Sequence, residues 1–134
     1  MNELNTTIVS LPDNITEAEK FIEYVMTAFE IPEHLQARIT LPVIEAVTNS
    51  ILFGNRANLS RRIYLNAVKD KEKLSVMIEE EGEGIDIMNL PDFNNPEQLM
   101  EETNRGFYLL INLPDELLIT RHGNKIVMAY FLDK

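Results

Sequence analysis

Two side chains on one apolar stretch have the types and the spacing to do chemistry. Between Leu41 and Asn55, a carboxylate, Glu45, and a carboxamide, Asn49, stand four positions apart. On a helix that spacing stacks them on one face. Their neighbours Val43, Ile44, Val47, Ile51 and Leu52 would otherwise make this a core helix. A polar pair on such a wall points to a binding cleft; the alternative is the half-exposed edge of an ordinary helix. The chain has no cysteine and only two histidines, His34 and His122. A thiolate nucleophile, a disulfide framework and a His-rich metal site are therefore excluded, and any catalysis falls to carboxylates.

Two glycine-bearing segments could face that pair. In Glu79–Asp86, Gly82 and Gly84 are separated by one residue, which lets the backbone turn tightly or approach a ligand. An acidic surface turn would look the same. Further on, Arg105 and Gly106 precede the apolar run Phe107–Leu113. A glycine at a helix start leaves backbone N–H groups free to face an anion, and Arg105 adds a charge.

The chain is 134 residues long, 45 % hydrophobic and 25 % charged. That predicts one folded domain over 1–134 with a real core, not a disordered chain. The net charge of −10 disfavours direct nucleic-acid binding, which needs a basic face, and suits a basic protein partner. No apolar run reaches a membrane span and no signal-peptide pattern opens the chain, so no membrane association and a cytoplasmic location are expected.

The elements that must position these residues follow from periodicity. Thr6–Leu11 reads as a first strand, ended by Pro12. Thr16 and Glu19 fit a capping box, followed by Phe21, Ile22, Val25, Met26 and Phe29 at helical spacing. Leu35, Ile39, Val43 and Val47 recur every fourth residue and predict a second helix, with Pro42 expected to kink it and Gly54 and Asn55 to stop it. Arg61–Val68 and Leu74–Glu79 alternate as a hairpin. Residues 87–104 lack periodicity and contain Pro91 and Pro96, so a lid over about 86–105 is expected, with one short helix starting at Asn95. A helix over Phe107–Leu113 and a closing hairpin, Leu117–Arg121 with Ile126–Leu132 around His122, complete the chain. This order predicts an α+β two-layer sandwich, one mixed, largely antiparallel sheet covered on one face by helices.

Taken together, the pattern resembles the GHKL (Bergerat-fold, histidine-kinase-like) ATPase superfamily. Within it, the chain is similar to the anti-sigma factor serine/threonine protein kinases of bacterial partner-switching systems. The resemblance spans about residues 6–132. Glu45–Ile51 resembles the family's N-box, Glu80–Gly84 its Asp-x-Gly-x-Gly box, and Asn104–Phe107 its Gly-Arg-Gly-Leu box. Leu113–Glu116 resembles the segment that follows. The resemblance implies ATP and Mg²⁺ as cofactors, with a sigma factor and a protein antagonist of the anti-anti-sigma type as partners, and a homodimer. It implies Glu45 as the general base on the attacking hydroxyl and Asn49 as a Mg²⁺ ligand through its amide oxygen. Glu80, Gly82 and Gly84 would receive the adenine, and Arg105 and Gly106 the phosphates.

Four positions depart from the family pattern: Glu80 stands for an aspartate, Phe53 for a histidine, Asn104 for a glycine and Asn124 for a threonine. The extra methylene moves the Glu80 carboxylate by roughly 1.5 Å on ordinary bond lengths. Glu79, Glu80, Glu81, Glu83 and Asp86 crowd the expected pocket rim with negative charge, opposed by Arg105 and Arg56. Such crowding weakens affinity for a triphosphate, and it makes a catalytically degenerate, partner-sequestering module the alternative to a working kinase.

Overall fold

The computed structural model describes residues 2–56, 58–82, 84, 94–120 and 124–133. Along the chain come β1 (Glu3–Val9), a 3-10 turn (Pro12–Asn14), α1 (Ile15–Ala28) and α2 (Glu33–Asn49), which runs into a π-turn (Ser50–Gly54). Then follow β2 (Arg62–Lys69), β3 (Lys73–Glu80), α3 (Pro96–Leu99), α4 (Glu102–Asn112), β4 (Glu116–Ile119) and β5 (Lys125–Phe131). The five strands form one sheet in the order β1-β2-β3-β5-β4, and every neighbouring pair is antiparallel.

The helices cover one face of this sheet because strand side chains alternate. Ile63, Leu65 and Ala67 of β2, Leu74, Val76 and Ile78 of β3, and Ile126, Met128 and Tyr130 of β5 all point into the helix layer and are buried. They meet Phe21, Ile22, Val25 and Met26 of α1, Ile39, Val43 and Val47 of α2, and Leu110 of α4. This is the expected α+β sandwich. A buried Tyr130 phenol within reach of the Met128 sulfur (3.6 Å) has its pKa pushed up by burial.

Several local expectations shift. The first strand begins earlier, at Glu3, because residues 3–9 pair along the whole of β2. At the start of α1 the cap position is Asn14, which makes no side-chain cap; its Nδ2 instead donates to the Val9 carbonyl at 3.0 Å. α2 continues through a buried Pro42 as one element, and the irregular turn comes only at Ser50–Gly54. The short helix at Asn95 is present, its side chain accepting from the Glu97 N–H at 3.0 Å. Of the expected lid, residues 85–93 lie outside the described residues, as does the turn at His122. Among the described residues, no helix is long and apolar enough to cross a membrane.

The far end of α4 is fastened to α2. Arg38 donates through Nε to the Leu113 carbonyl at 2.7 Å and pairs with Asp115 at 3.3 Å. Asp115 in turn accepts from the Phe131 N–H at 2.8 Å. This bracket holds α4 along the same helix that carries Glu45 and Asn49.

Candidate functional site

Glu45 lies on the fourth turn of α2, and α4 presses a glycine onto it. Gly106 is buried, and a Cβ built there would strike Glu45 Oε2, with the carboxyl carbon 3.0 Å away and Cγ at 3.6 Å. Only glycine lets the α4 backbone come this close. The structure thus brings Glu45 and Gly106 together, although they stand 61 positions apart in the chain. It also corrects one expectation. α4 begins at Glu102, so Gly106 sits in its second turn and not at its start. The Arg105 N–H is already bonded to the Glu101 carbonyl at 3.1 Å, so backbone N–H groups at Arg105 and Gly106 are not the free ones of a helix end. The Arg105 guanidinium is exposed and donates to the Met100 carbonyl at 2.6 Å.

One turn beyond Glu45, Asn49 is 6 % exposed, and its Nδ2 has no hydrogen-bond partner. An orphaned buried donor is uncommon and calls for an explanation in what the site binds. The π-turn follows at once, closed by the Asn55 N–H on the Ser50 carbonyl at 2.7 Å. Such turns add a residue to the helical winding and recur at functional sites. Here the turn aims Gly54 at β3.

Glu80 receives it. In β3 the inward positions are Leu74, Val76, Ile78 and then Glu80, so the alternation that builds the core also delivers a carboxylate into it. Glu80 is 4 % exposed, and a Cβ on Gly54 would fall on its carboxylate. Its Oε2 has no partner. Burial pushes its pKa up from 4.5 to about 7, against the opposing pull of Arg61. Arg61 is thus a cation that acts on Glu80. After the strand, Gly82 closes on the Gly54 carbonyl, and Gly84 takes a left-handed φ of 81°, where a side chain would be strained. Glu81 instead turns outward to accept from the Arg62 N–H.

The site has two ends. At one, Glu45 meets Gly106; at the other, Gly54, Glu80 and Gly82 interlock, with Asn49 on the helix between Glu45 and Gly54. Sequence reasoning missed Gly54 and Asn55 as site residues and took them for a helix stop. The signal that could have found Gly54 is the parity of Glu80, which turns a carboxylate inward and demands a neighbour without a side chain.

The residues present fit a nucleotide. A buried donor without a partner at Asn49 can be satisfied by a phosphate oxygen, and a buried acceptor without one at Glu80 by the exocyclic amine of a base. Among the described residues no three acidic, histidine or cysteine side chains converge as a metal cage.

Comparison with known proteins agrees with this geometry. Residues 8–130 match the histidine kinase-like ATPase domain. The anti-sigma F factor of Oceanobacillus iheyensis is 25 % identical over 132 residues, covering 96 % of this chain and 90 % of that protein. The anti-sigma F factor of a Geobacillus species is 24 % identical over 133 residues, with the same coverage of each. With the match running from β1 into β5, the chain belongs to the histidine kinase-like (GHKL) ATPase domain family, with anti-sigma factors among its relatives.

Proposed function

We propose that this protein is an ATP-binding regulator of the anti-sigma type that phosphorylates a serine or threonine of a protein antagonist and also binds a sigma factor. The observation that carries this reading is the contact of Gly106 with Glu45. It sets a carboxylate, on the same helix wall as a buried amide whose nitrogen has no partner, against the element that follows the expected lid. Glu45 would accept the proton of the attacking hydroxyl as its oxygen moves onto phosphorus. Asn49 would lend its amide oxygen to Mg²⁺, and Glu80, Gly82 and Gly84 would hold the adenine. ATP would supply the transferable γ-phosphoryl group, with ADP as the leaving group, and Mg²⁺ would neutralise the charge that develops on it. Arg105 would have to leave the Met100 carbonyl to reach the phosphates. The reading extends to a homodimer in the cytoplasm; the uncovered face of the sheet, with Leu118 exposed on it, supports self-association.

Transfer of labelled γ-phosphate to the antagonist tests the activity. Glu45→Ala should abolish transfer while Mg²⁺-ATP binding persists, and undiminished transfer would remove Glu45 as the base.

A second reading has its own observation. Glu80 lies folded over Gly54 with its carboxylate inside the adenine end, and burial of that carboxylate favours its neutral form. On this reading the chain sequesters its partner without turning over ATP. Calorimetry separates the two: micromolar, Mg²⁺-dependent ATP binding counts against the degenerate module, and its absence counts against the kinase.

A further inference from the structure

Asn55 has no part in the chemistry above, yet it is 0 % exposed and stands where four segments meet. Its backbone N–H closes the π-turn. Its Nδ2 donates to Ser10 Oγ at 2.6 Å and to the Arg62 carbonyl at 3.1 Å, tying the end of β1 to the start of β2. Both amide hydrogens are used. The amide oxygen is not: Oδ1 has no partner, and it stands 2.6 Å from where a Cβ on Gly82 would be. Gly82 in turn closes on the Gly54 carbonyl. Asn55 therefore backs both glycines that frame Glu80, and it does so with a short side chain anchored to the sheet on its other side.

A neutral amide in this place has a specific consequence. Its two donors fix its orientation, so its oxygen must face the glycine turn even though nothing there satisfies it. The turn is held near an acceptor, and any displacement of Asn55 would be felt by Gly54 and Gly82 together. We infer that Asn55 is a positioning residue that fixes the purine end of the nucleotide site, setting the spacing of Gly54 and Gly82 around Glu80 and so the preference for adenine over guanine. This deepens the ATP reading and rests on it.

The test compares Mg²⁺-ATP and Mg²⁺-GTP affinities by calorimetry for the full chain and for Asn55→Ala, with urea unfolding alongside. Loss of both anchoring hydrogen bonds should reduce the ATP preference about tenfold, chiefly by weakening ATP. A merely structural role would weaken both nucleotides by the same factor and leave the ratio intact, which would overturn the inference. Wild-type binding with no preference between the two bases would overturn it as well. A wild-type chain that binds neither nucleotide would overturn the ATP reading itself, and this inference with it. If Asn55→Ala does not fold, Ser10→Ala removes only the anchor behind the amide. It should lower the ATP preference about threefold, and an unchanged ratio would again overturn the role.

Discussion

Replacing Glu80 by glutamine should remove a fall in stability that the wild-type chain suffers as pH rises toward neutrality. The carboxylate is 4 % exposed, one of its oxygens is unpaired, and burial raises its pKa from 4.5 to about 7. In the unfolded chain the same group ionises near its ordinary value. Between those values the folded protein keeps a proton that the unfolded chain has released. Stability therefore drops as pH rises, by about 1.4 kcal/mol per pH unit. Below the unfolded value both states are protonated and nothing is lost. Above the folded value both are ionised, and the full penalty, at most about 3 kcal/mol, remains. Glutamine keeps the shape and does not titrate. Its amide leaves a buried group without a partner too, but that cost is the same at every pH. Urea unfolding at about pH 5, 6, 7 and 8 should show the wild-type midpoint falling away from that of Glu80→Gln, most steeply below about pH 7. Two curves that run parallel would refute the account of Glu80.

Three further substitutions probe the contacts that assemble the site. Gly54→Ala drives a Cβ into the Glu80 carboxylate and should destabilise by about 1–3 kcal/mol; combining it with Glu80→Ala should recover most of that in a urea double-mutant cycle, and additive losses would show that the two do not touch. Arg38→Ala removes the bond to the Leu113 carbonyl and the ion pair with Asp115, for a loss of about 1–3 kcal/mol. Hydrogen exchange should then rise first at the end of α4 and in β4, whereas uniform exchange would deny the bracket. Gly106→Ala should favour the helix by up to about 1 kcal/mol yet cut phosphate transfer at least about tenfold, since the new Cβ meets Glu45; full transfer activity would show that the close approach does not matter.

Local pattern determined much of this protein from the sequence alone. The alternation of Ile63, Leu65 and Ala67 with Leu74, Val76 and Ile78 predicted the hairpin, because one sheet face must be buried and side chains reverse with each residue. The four-residue recurrence from Leu35 to Val47 predicted the helix that carries Glu45 and Asn49, and their spacing placed them on one face before any fold was known. The first-turn residues of α4 lack an apolar repeat, so periodicity places its start at Phe107, five positions after Glu102. Local signals also cannot say which segments meet. Gly54 and Glu80 are far apart in the chain, and only the crossing of the π-turn over β3 sets one on the other. Gly106 reaches Glu45 where α4 packs along α2 in the core, a placement that Arg38 and Asp115 help to hold. Neither contact leaves a periodic trace in the sequence, since a glycine in a helix and an inward glutamate are each ordinary by themselves. What the tertiary structure decided is their pairing, where the absence of a Cβ on one segment makes room for a carboxylate from another.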